Sequence, residues 1–439
     1  MVGGGAREHV ICETIKKTSN INLYSIMSNV NPGIQILSEE YLLCKEVDIE
    51  NILDFAKQKN IDLALIGPEA PLEIGLTDKL YEYGISTCAP TKSAARIETD
   101  KEWMRNILKK YDVRGQLKFK SFTDLKKAKN FIEDLNTNVA IKPIGLTGGK
   151  GVKVFGDHFN NLEEACSYVE EILINKVGGK SKVLIEEKAS GEEFTLQALS
   201  DGESIIPLPA VQDHKRLLPN DQGPNTGGMG SYSSSNGLLP FLTKSIYEES
   251  AAILQKIIES LNHEKSKFIG PIYGQFMLTN EGPKIIEINA RYGDPEAMNV
   301  LPLITNNYID LCKAMVNGDL SNKKIKINKK STVCKYVVPE GYGFESMIGE
   351  KIKINETKIK ENGAKLYYAS VNKINNDILT TSSRSLAVVG ISDNISNAEK
   401  ICENSLKYVK GDHIYIRHDI GTEDLINKKL RKIQKLNII

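Results

Sequence analysis

The chain holds a single tryptophan and no run of about 18 apolar residues, so the sequence offers no membrane-spanning helix. It also lacks charge of one prevailing sign. With 57 Lys+Arg against 56 Asp+Glu, the formal net charge is +1. No global field would recruit nucleic acid or an acidic membrane, and any anion must be held by local sites. The seven cysteines are odd in number, widely spaced and free of any C-x-x-C pair. That excludes a sequence-evident disulfide framework or zinc cluster and suits a reducing compartment. No basic-then-apolar leader opens the chain, so a cytoplasmic protein is expected, without nucleic-acid or membrane partners. Two nucleotide fingerprints are missing as well. Gly3-Gly4-Gly5-Ala6-Arg7 is followed by Glu8, which breaks G-x-G-x-x-G, and no Gly-Lys-Ser/Thr opens a helix as a Walker A loop would.

What remains is a chain of 439 residues, enough for two to four domains. Residues 1–98 alternate short apolar runs with amphipathic helical sequence. Ile61–Ile66 ends in Gly67-Pro68, as a buried parallel strand does. This predicts a doubly wound parallel sheet, with Gly3–Gly5 and Gly67–Glu69 at the ligand-binding carboxyl ends of its strands. A second unit, 99–316, starts at a capped helix near Asp100 and contains strands at Val139–Lys142, Val183–Glu187, Ile272–Leu278 and Lys284–Ile288. Part of it, about 115–190, is expected to be a mobile lid. The polar stretch 317–330 reads as a linker, and 331–439 as a small α+β domain.

Four segments carry chemistry. Lys142–Val152 sets two lysines about a glycine-rich turn, which can present N–H groups and positive charge to phosphates, or be a plain hairpin with exposed lysines. Leu184–Phe194 delivers Glu186, Glu187 and Glu193 from a strand end, where carboxylates can accept from adenine and ribose or simply be solvated. Glu287 and Asn289 lie two apart on a strand and so share a face. With Gln275 they form an oxygen set that suits Mg²⁺, which takes its other ligands from phosphates. Gln212–Arg216, next to the glycine-dense Gly223–Gly230, suggests a substrate-covering flap. His214 reads as structural and Lys215 as an anion contact.

In series, these pieces resemble the phosphoribosylamine–glycine ligase family of ATP-grasp enzymes. The matching segments are GGGAREH at 3–9, GPEAPL at 67–72, PTKSAARIETDKEW at 90–103 and KPIGLTGGKGV at 142–152. They continue with IEEKASGEEFT at 185–195, QDHKR at 212–216, GPNTGGMGSYS at 223–233, EINARYGDPE at 287–296 and KYVVPEGYG at 335–343.

The resemblance implies an N-terminal substrate domain, an ATP-grasp central unit and a small C-terminal α+β domain. It implies ligation of glycine to 5-phosphoribosylamine through glycyl phosphate, with ATP as substrate and Mg²⁺ or Mn²⁺ as cofactor. Lys101, Lys142 and the hairpin Thr147, Gly148, Gly149, Lys150, Gly151 and Val152 would meet the ATP phosphates. Glu186, Glu187 and Ala189 would meet adenine, and Glu193 ribose. Gln275, Glu287 and Asn289 would hold metal. Arg291 and Lys215 would serve catalysis, and Asp294 both catalysis and the amine substrate. Gly3, Gly5, Arg7, Glu8, Glu69, Asp213 and Arg384 would bind substrate. The expected assembly is a monomer or weak homodimer.

Two departures stand out. Lys142-Pro143-Ile144-Gly145 replaces the family's Lys-Ala-Asp-Gly. Only Met1-Val2 precede the first glycine loop, which leads to the expectation that Met1 is not the natural start and that a strand is missing. Rival readings fare worse. Other purine-pathway ATP-grasp ligases should lack GPNTGGMG, and a non-catalytic nucleotide-binding regulator should have lost Lys142, Glu287 or Asn289.

Overall fold

A computed structural model describes residues 1–146 and 151–438. The N-terminal helix Ala6–Thr18 starts directly from the glycine loop, and the Glu8 carboxylate accepts the Gly5 N–H at 2.7 Å. Strands β1 (Tyr24–Met27) and β2 (Glu40–Leu43) pair in parallel, as do β3 (Leu63–Leu65) and β4 (Ser86–Cys88). Between the pairs runs Met1–Gly3. Val2 N–H donates to Leu65 at 2.9 Å, and Gly3 N–H donates to Ile26 at 2.8 Å. The first three residues thus bridge β1 and β3.

The central unit begins at the helix Lys101–Lys110, capped by Asp100 through the Trp103 N–H. It then builds two sheets. The first joins β5 (Phe119–Phe122), β6 (Val139–Pro143), β7 (Lys153–Val154) and β8 (Val183–Glu187) in the order β5-β8-β6-β7. Helices Leu125–Asp134 and Leu162–Asn175 cover it, and Phe122, Ile132, Ile141, Val169 and Ile185 form a core of its own. The second sheet contains the long strand β9 (Glu192–Asp201) and the short β10 (Ile205–Pro207).

Four short strands follow: β11 (Gln212–Asp213), β12 (Arg216–Leu218), β13 (Gln222–Asn225) and β14 (Gly230–Ser233). After the helix Lys244–His263 come β15 (Ile269–Thr279) and β16 (Gly282–Asn289), which complete the order β10-β9-β15-β16. These last two strands are longer at both ends than their apolar runs alone indicate.

The C-terminal domain contains β17 (Ser331–Pro339), β18 (Lys351–Ile354), β19 (Lys365–Tyr368), β20 (Val371–Ile374), β21 (Asp377–Thr380), β22 (Leu386–Ser392), β23 (Val409–Lys410) and β24 (Ile414–Ile416), then the helix Glu423–Lys435. Its main sheet does not stop at the domain. The order β11-β14-β17-β22-β19 recruits two strands from the central unit. The later part of Gly223–Gly230, read from the sequence as a flexible neighbour of the Gln212–Arg216 flap, packs into this sheet. Gly230 pairs with Lys335, Met229 is fully buried, and the Arg384 guanidinium binds the Gly227 carbonyl at 2.5 Å. Glycine is required here for close approach: a Cβ at Gly230 would lie 2.2 Å from the Cys334 carbonyl oxygen. Among the described residues no helix is long and apolar enough to cross a membrane.

Candidate active site

The two central sheets meet along a seam of charge. Arg105, fully buried on the first helix of the unit, forks onto Glu186 of β8 at 2.5 and 3.0 Å. The same guanidinium donates to the Ile285 and Ile286 carbonyls of β16 at 3.0 and 3.1 Å. Lys142 of β6 reaches Glu186 at 2.6 Å and the Ile286 carbonyl at 3.2 Å. Burial works against a charged Glu186, but Arg105 and Lys142 outweigh it and hold the carboxyl down at about 2. Both Glu186 oxygens are thus engaged by cations of the protein itself. Glu187 accepts the Lys118 N–H at 2.9 Å, and Lys188 donates to the Phe155 carbonyl, which fixes the turn to Ala189.

Four oxygen-bearing side chains gather beside the seam. Register places Gln275 directly opposite Glu287, and the pleat brings Asn289 Nδ2 to 3.4 Å from the Glu287 carboxylate. Gln275 also donates to Glu193 of β9. The Lys215 ammonium stands among them, 2.5 Å from Gln275, 3.8 Å from Glu193 and 3.9 Å from Glu287. Burial opposes the Lys215 charge, yet Glu287, Glu193 and Asp213 hold its pKa above the usual lysine range. Partial burial works against a charged Glu287, but Lys215 and Lys142 keep it ionised. Lys101 completes the group, with its ammonium on the Gly145 carbonyl at 2.6 Å and its pKa lowered by burial.

This donor set fits a hard divalent cation. It offers oxygens from a carboxylate and two amides, with a lysine ammonium already drawn into their convergence. Among the described residues no three His, Cys, Asp or Glu side chains gather as an all-protein cage. Mg²⁺-type ions need none, because they draw ligands from substrate phosphates and water. Gly151 accepts the Tyr168 hydroxyl on its carbonyl at 2.7 Å, and Val152 follows it. Thr147, Gly148, Gly149 and Lys150 lie outside the described residues.

Two further clusters adjoin. Arg291 bridges Glu69 of the N-terminal domain at 3.3 Å and Glu98 at 2.9 Å. Despite burial, Arg291 and Arg7 pull the Glu69 carboxyl down to about 2. Arg7 pairs with Glu8 at 2.7 Å and donates to the Tyr292 carbonyl, so Gly3, Gly5, Glu8 and Glu69 share one corner. On the other side, Asp294 accepts from Tyr336 at 2.5 Å and pairs with Arg384 at 3.1 Å. Asp213 lies close by. Its Oδ1 is shielded from solvent without a hydrogen-bond partner among the described residues, and burial and the neighbouring Glu296 push its pKa well up. Sequence reasoning gave no role to Arg105, Glu98 or Glu296. Glu98 and Glu296 lie inside recognisable motifs; Arg105 carries no local signal.

The match to known proteins runs along the whole architecture. The domain families described as Phosphoribosylglycinamide synthetase N domain, ATP-grasp (A) domain and C domain match residues 1–98, 99–297 and 332–423. The chain is 47% identical over 436 residues to a phosphoribosylamine–glycine ligase of Methanothermobacter thermautotrophicus, covering 99% of each. It is 48% identical over 440 residues to the ligase of that name from Methanocaldococcus jannaschii, again covering 99% of both.

The chain belongs to the phosphoribosylamine–glycine ligase family.

Its fold is shared with a Thermotoga maritima phosphoribosylamine–glycine ligase at a TM-score of 0.80 and 24% identity, over 95% of this chain and 98% of that one. A Hydrogenobacter thermophilus biotin carboxylase domain, solved with MgADP and bicarbonate, superposes at a TM-score of 0.74 and 15% identity, over 100% and 95% of the two chains. As a member of the phosphoribosylamine–glycine ligase family, the chain is an ATP-grasp carbon–nitrogen ligase of purine biosynthesis.

Proposed function

We propose that the chain joins glycine to 5-phosphoribosylamine by way of glycyl phosphate, at the seam between the two central sheets. A glycine carboxylate oxygen attacks the γ-phosphorus of ATP, and the bond to ADP breaks. The phosphoribosylamine nitrogen then attacks the acyl carbon, and phosphate leaves with the former carboxylate oxygen. A carboxylate is a poor electrophile, and this route turns its oxygen into a leaving group. The protein's share is positioning and charge.

Lys101 and Lys142 bind the phosphates, to which Thr147, Gly148, Gly149, Lys150, Gly151 and Val152 add further contacts. The backbone from Glu187 to Ala189 takes adenine and Glu193 takes ribose. Gln275, Glu287 and Asn289 hold Mg²⁺ or Mn²⁺, which supplies neutralisation of phosphate charge when bound. Arg291 and Lys215 steady the transferred phosphoryl, and Asp213 and Asp294 receive the amine. Gly3, Gly5, Arg7, Glu8 and Glu69 cradle phosphoribosylamine. Arg384 binds its 5′-phosphate once its pair with Asp294 opens.

The observation that carries this reading is the Lys215 ammonium set among the Gln275, Glu287 and Asn289 side chains, with Lys142 and Lys101 near enough to help keep Glu287 ionised. We assign the enzyme to the cytosol as a monomer or weak homodimer, without nucleic-acid or membrane partners. The seven unpaired thiols support that compartment. Phosphate release from ATP and glycine, with and without phosphoribosylamine generated in place, tests the reaction. Full turnover with both amine and acid is expected; release indifferent to glycine would overturn it.

A further inference from the structure

The ATP-facing residues on two strands alternate with residues that face away, towards the C-terminal domain. On β9, Glu193 turns to Gln275, while Glu192 turns to Lys429 at 2.5 Å and Lys432 at 3.0 Å. Around β11 the same alternation recurs. Asp213 and Lys215 face Glu296, Glu193 and Gln275, whereas Gln212 donates to Glu192 at 2.9 Å and His214 Nδ1 lies 3.1 Å from Asp221. Pleated backbone enforces this: fixing one residue fixes the direction of its neighbour.

The away-facing residues end in one ionic cluster. Asp221 receives Arg417 at 2.7 Å and Lys429 at 2.9 Å. Arg417 also pairs with Asp419 at 2.7 Å and donates to the Arg216 carbonyl at 3.0 Å, directly after Lys215. Arg417 is fully buried and the Lys429 side chain is 9% exposed, while that of Lys432 is 55% exposed. Three cations (Arg417, Lys429, Lys432) face three carboxylates (Asp221, Asp419, Glu192), so the cluster balances with His214 neutral. Burial does lower the His214 pKa. Arg417 and Lys429 therefore clasp both catalytic strands from behind, at the start of β9 through Glu192 and at β11–β12 through Asp221 and the Arg216 carbonyl.

We propose that Arg417 and Lys429 are positioning residues for ligation, holding Lys215 and Glu193 in the site by gripping the residues that alternate with them. Neither touches the reacting groups. The inference rests on Lys215 being an active-site cation. Removing one partner of a buried ion group leaves the others uncompensated, and a displacement of about 1 Å at a catalytic group can cost about a hundredfold in rate.

The test is steady-state kinetics on the full chain, well below its melting temperature. Lys429→Met should lower kcat about tenfold or more while the KM for phosphoribosylamine, bound in the N-terminal domain, stays within about twofold. Lys429→Arg, which keeps the charge, should recover most of the loss. Leu425→Ala, at a buried apolar position on the same helix but outside the ionic cluster, should lower the melting temperature and spare kcat. In the background of Lys215→Met, adding Lys429→Met should cost nothing further. A kcat loss no larger than that of Leu425→Ala, or losses that multiply in the double variant, would overturn the positioning role. A fully active Lys215→Met would instead remove the reading of Lys215 itself, and the positioning claim with it.

Discussion

Lys142 Nζ lies 2.6 Å from Glu186 Oε2, so the lysine assigned to phosphate is anchored by a carboxylate inside its own sheet. Arg105 grips the other oxygen and extends the pair to the facing sheet through two β16 carbonyls. One buried carboxylate thus couples the alignment of both sheets to the position of Lys142, the lysine proposed to meet the ATP phosphates.

Replacing that carboxylate is expected to be costly at neutral pH. Glu186→Gln leaves two buried cations without a counter-charge, a loss of about 3–5 kcal/mol. The pH sign follows from the depressed pKa. With a folded value of about 2 against an ordinary 4.5, the ionised Glu186 contributes stability that is full above pH 4.5 and is lost as pH falls towards 2. Urea midpoints of the two proteins should therefore differ widely at pH 7 and converge below pH 4.5. A constant gap would contradict the ion-pair account.

The metal set gives a cleaner separation of activity from folding. Glu287→Gln with Asn289→Ala should abolish ligation and leave a folded protein, because these side chains face the site rather than a core. Circular dichroism and turnover, measured together, check this. Wild-type turnover in the double variant would remove the metal assignment.

Gly228 sits at φ +104°, where a Cβ would come to 2.7 Å from Pro295 and 2.8 Å from Asp213 Oδ1. Gly228→Ala should cost about 1–3 kcal/mol and lower turnover by displacing Asp213. Gly237→Ala is the comparison, since its Cβ would meet nothing nearer than Pro209 at 4.0 Å. Melting temperatures and kcat for the pair decide. Equal effects would argue that backbone strain alone matters and Asp213 does not.

Much of this architecture is legible in the sequence where the signal is local. The alternation of apolar runs and helices in the first domain, the Asp100 cap, and the two-residue spacing of Glu287 and Asn289 all appear as expected. What is not legible depends on partners far along the chain. Nothing near Gly223–Gly230 announces that β14 will pair with β17 a hundred residues later, so glycine density reads as mobility when it serves close packing. Glu186 shows the same limit. An acidic strand end reads as solvated or ligand-facing until Arg105, eighty-one residues earlier, is seen against it. Arg417 and Lys429 belong to no catalytic motif and become visible only through their contacts with Asp221 and Glu192.

The central claim is the route through an acyl phosphate, and isotope transfer tests it most directly. Glycine labelled with oxygen-18 in its carboxylate is turned over with ATP and phosphoribosylamine, and the released phosphate is analysed by mass spectrometry. One labelled oxygen should appear in each phosphate, carried over when the amine displaces it from the acyl carbon. Unlabelled phosphate released alongside labelled amide product, the second carboxylate oxygen having gone to water, would contradict the account.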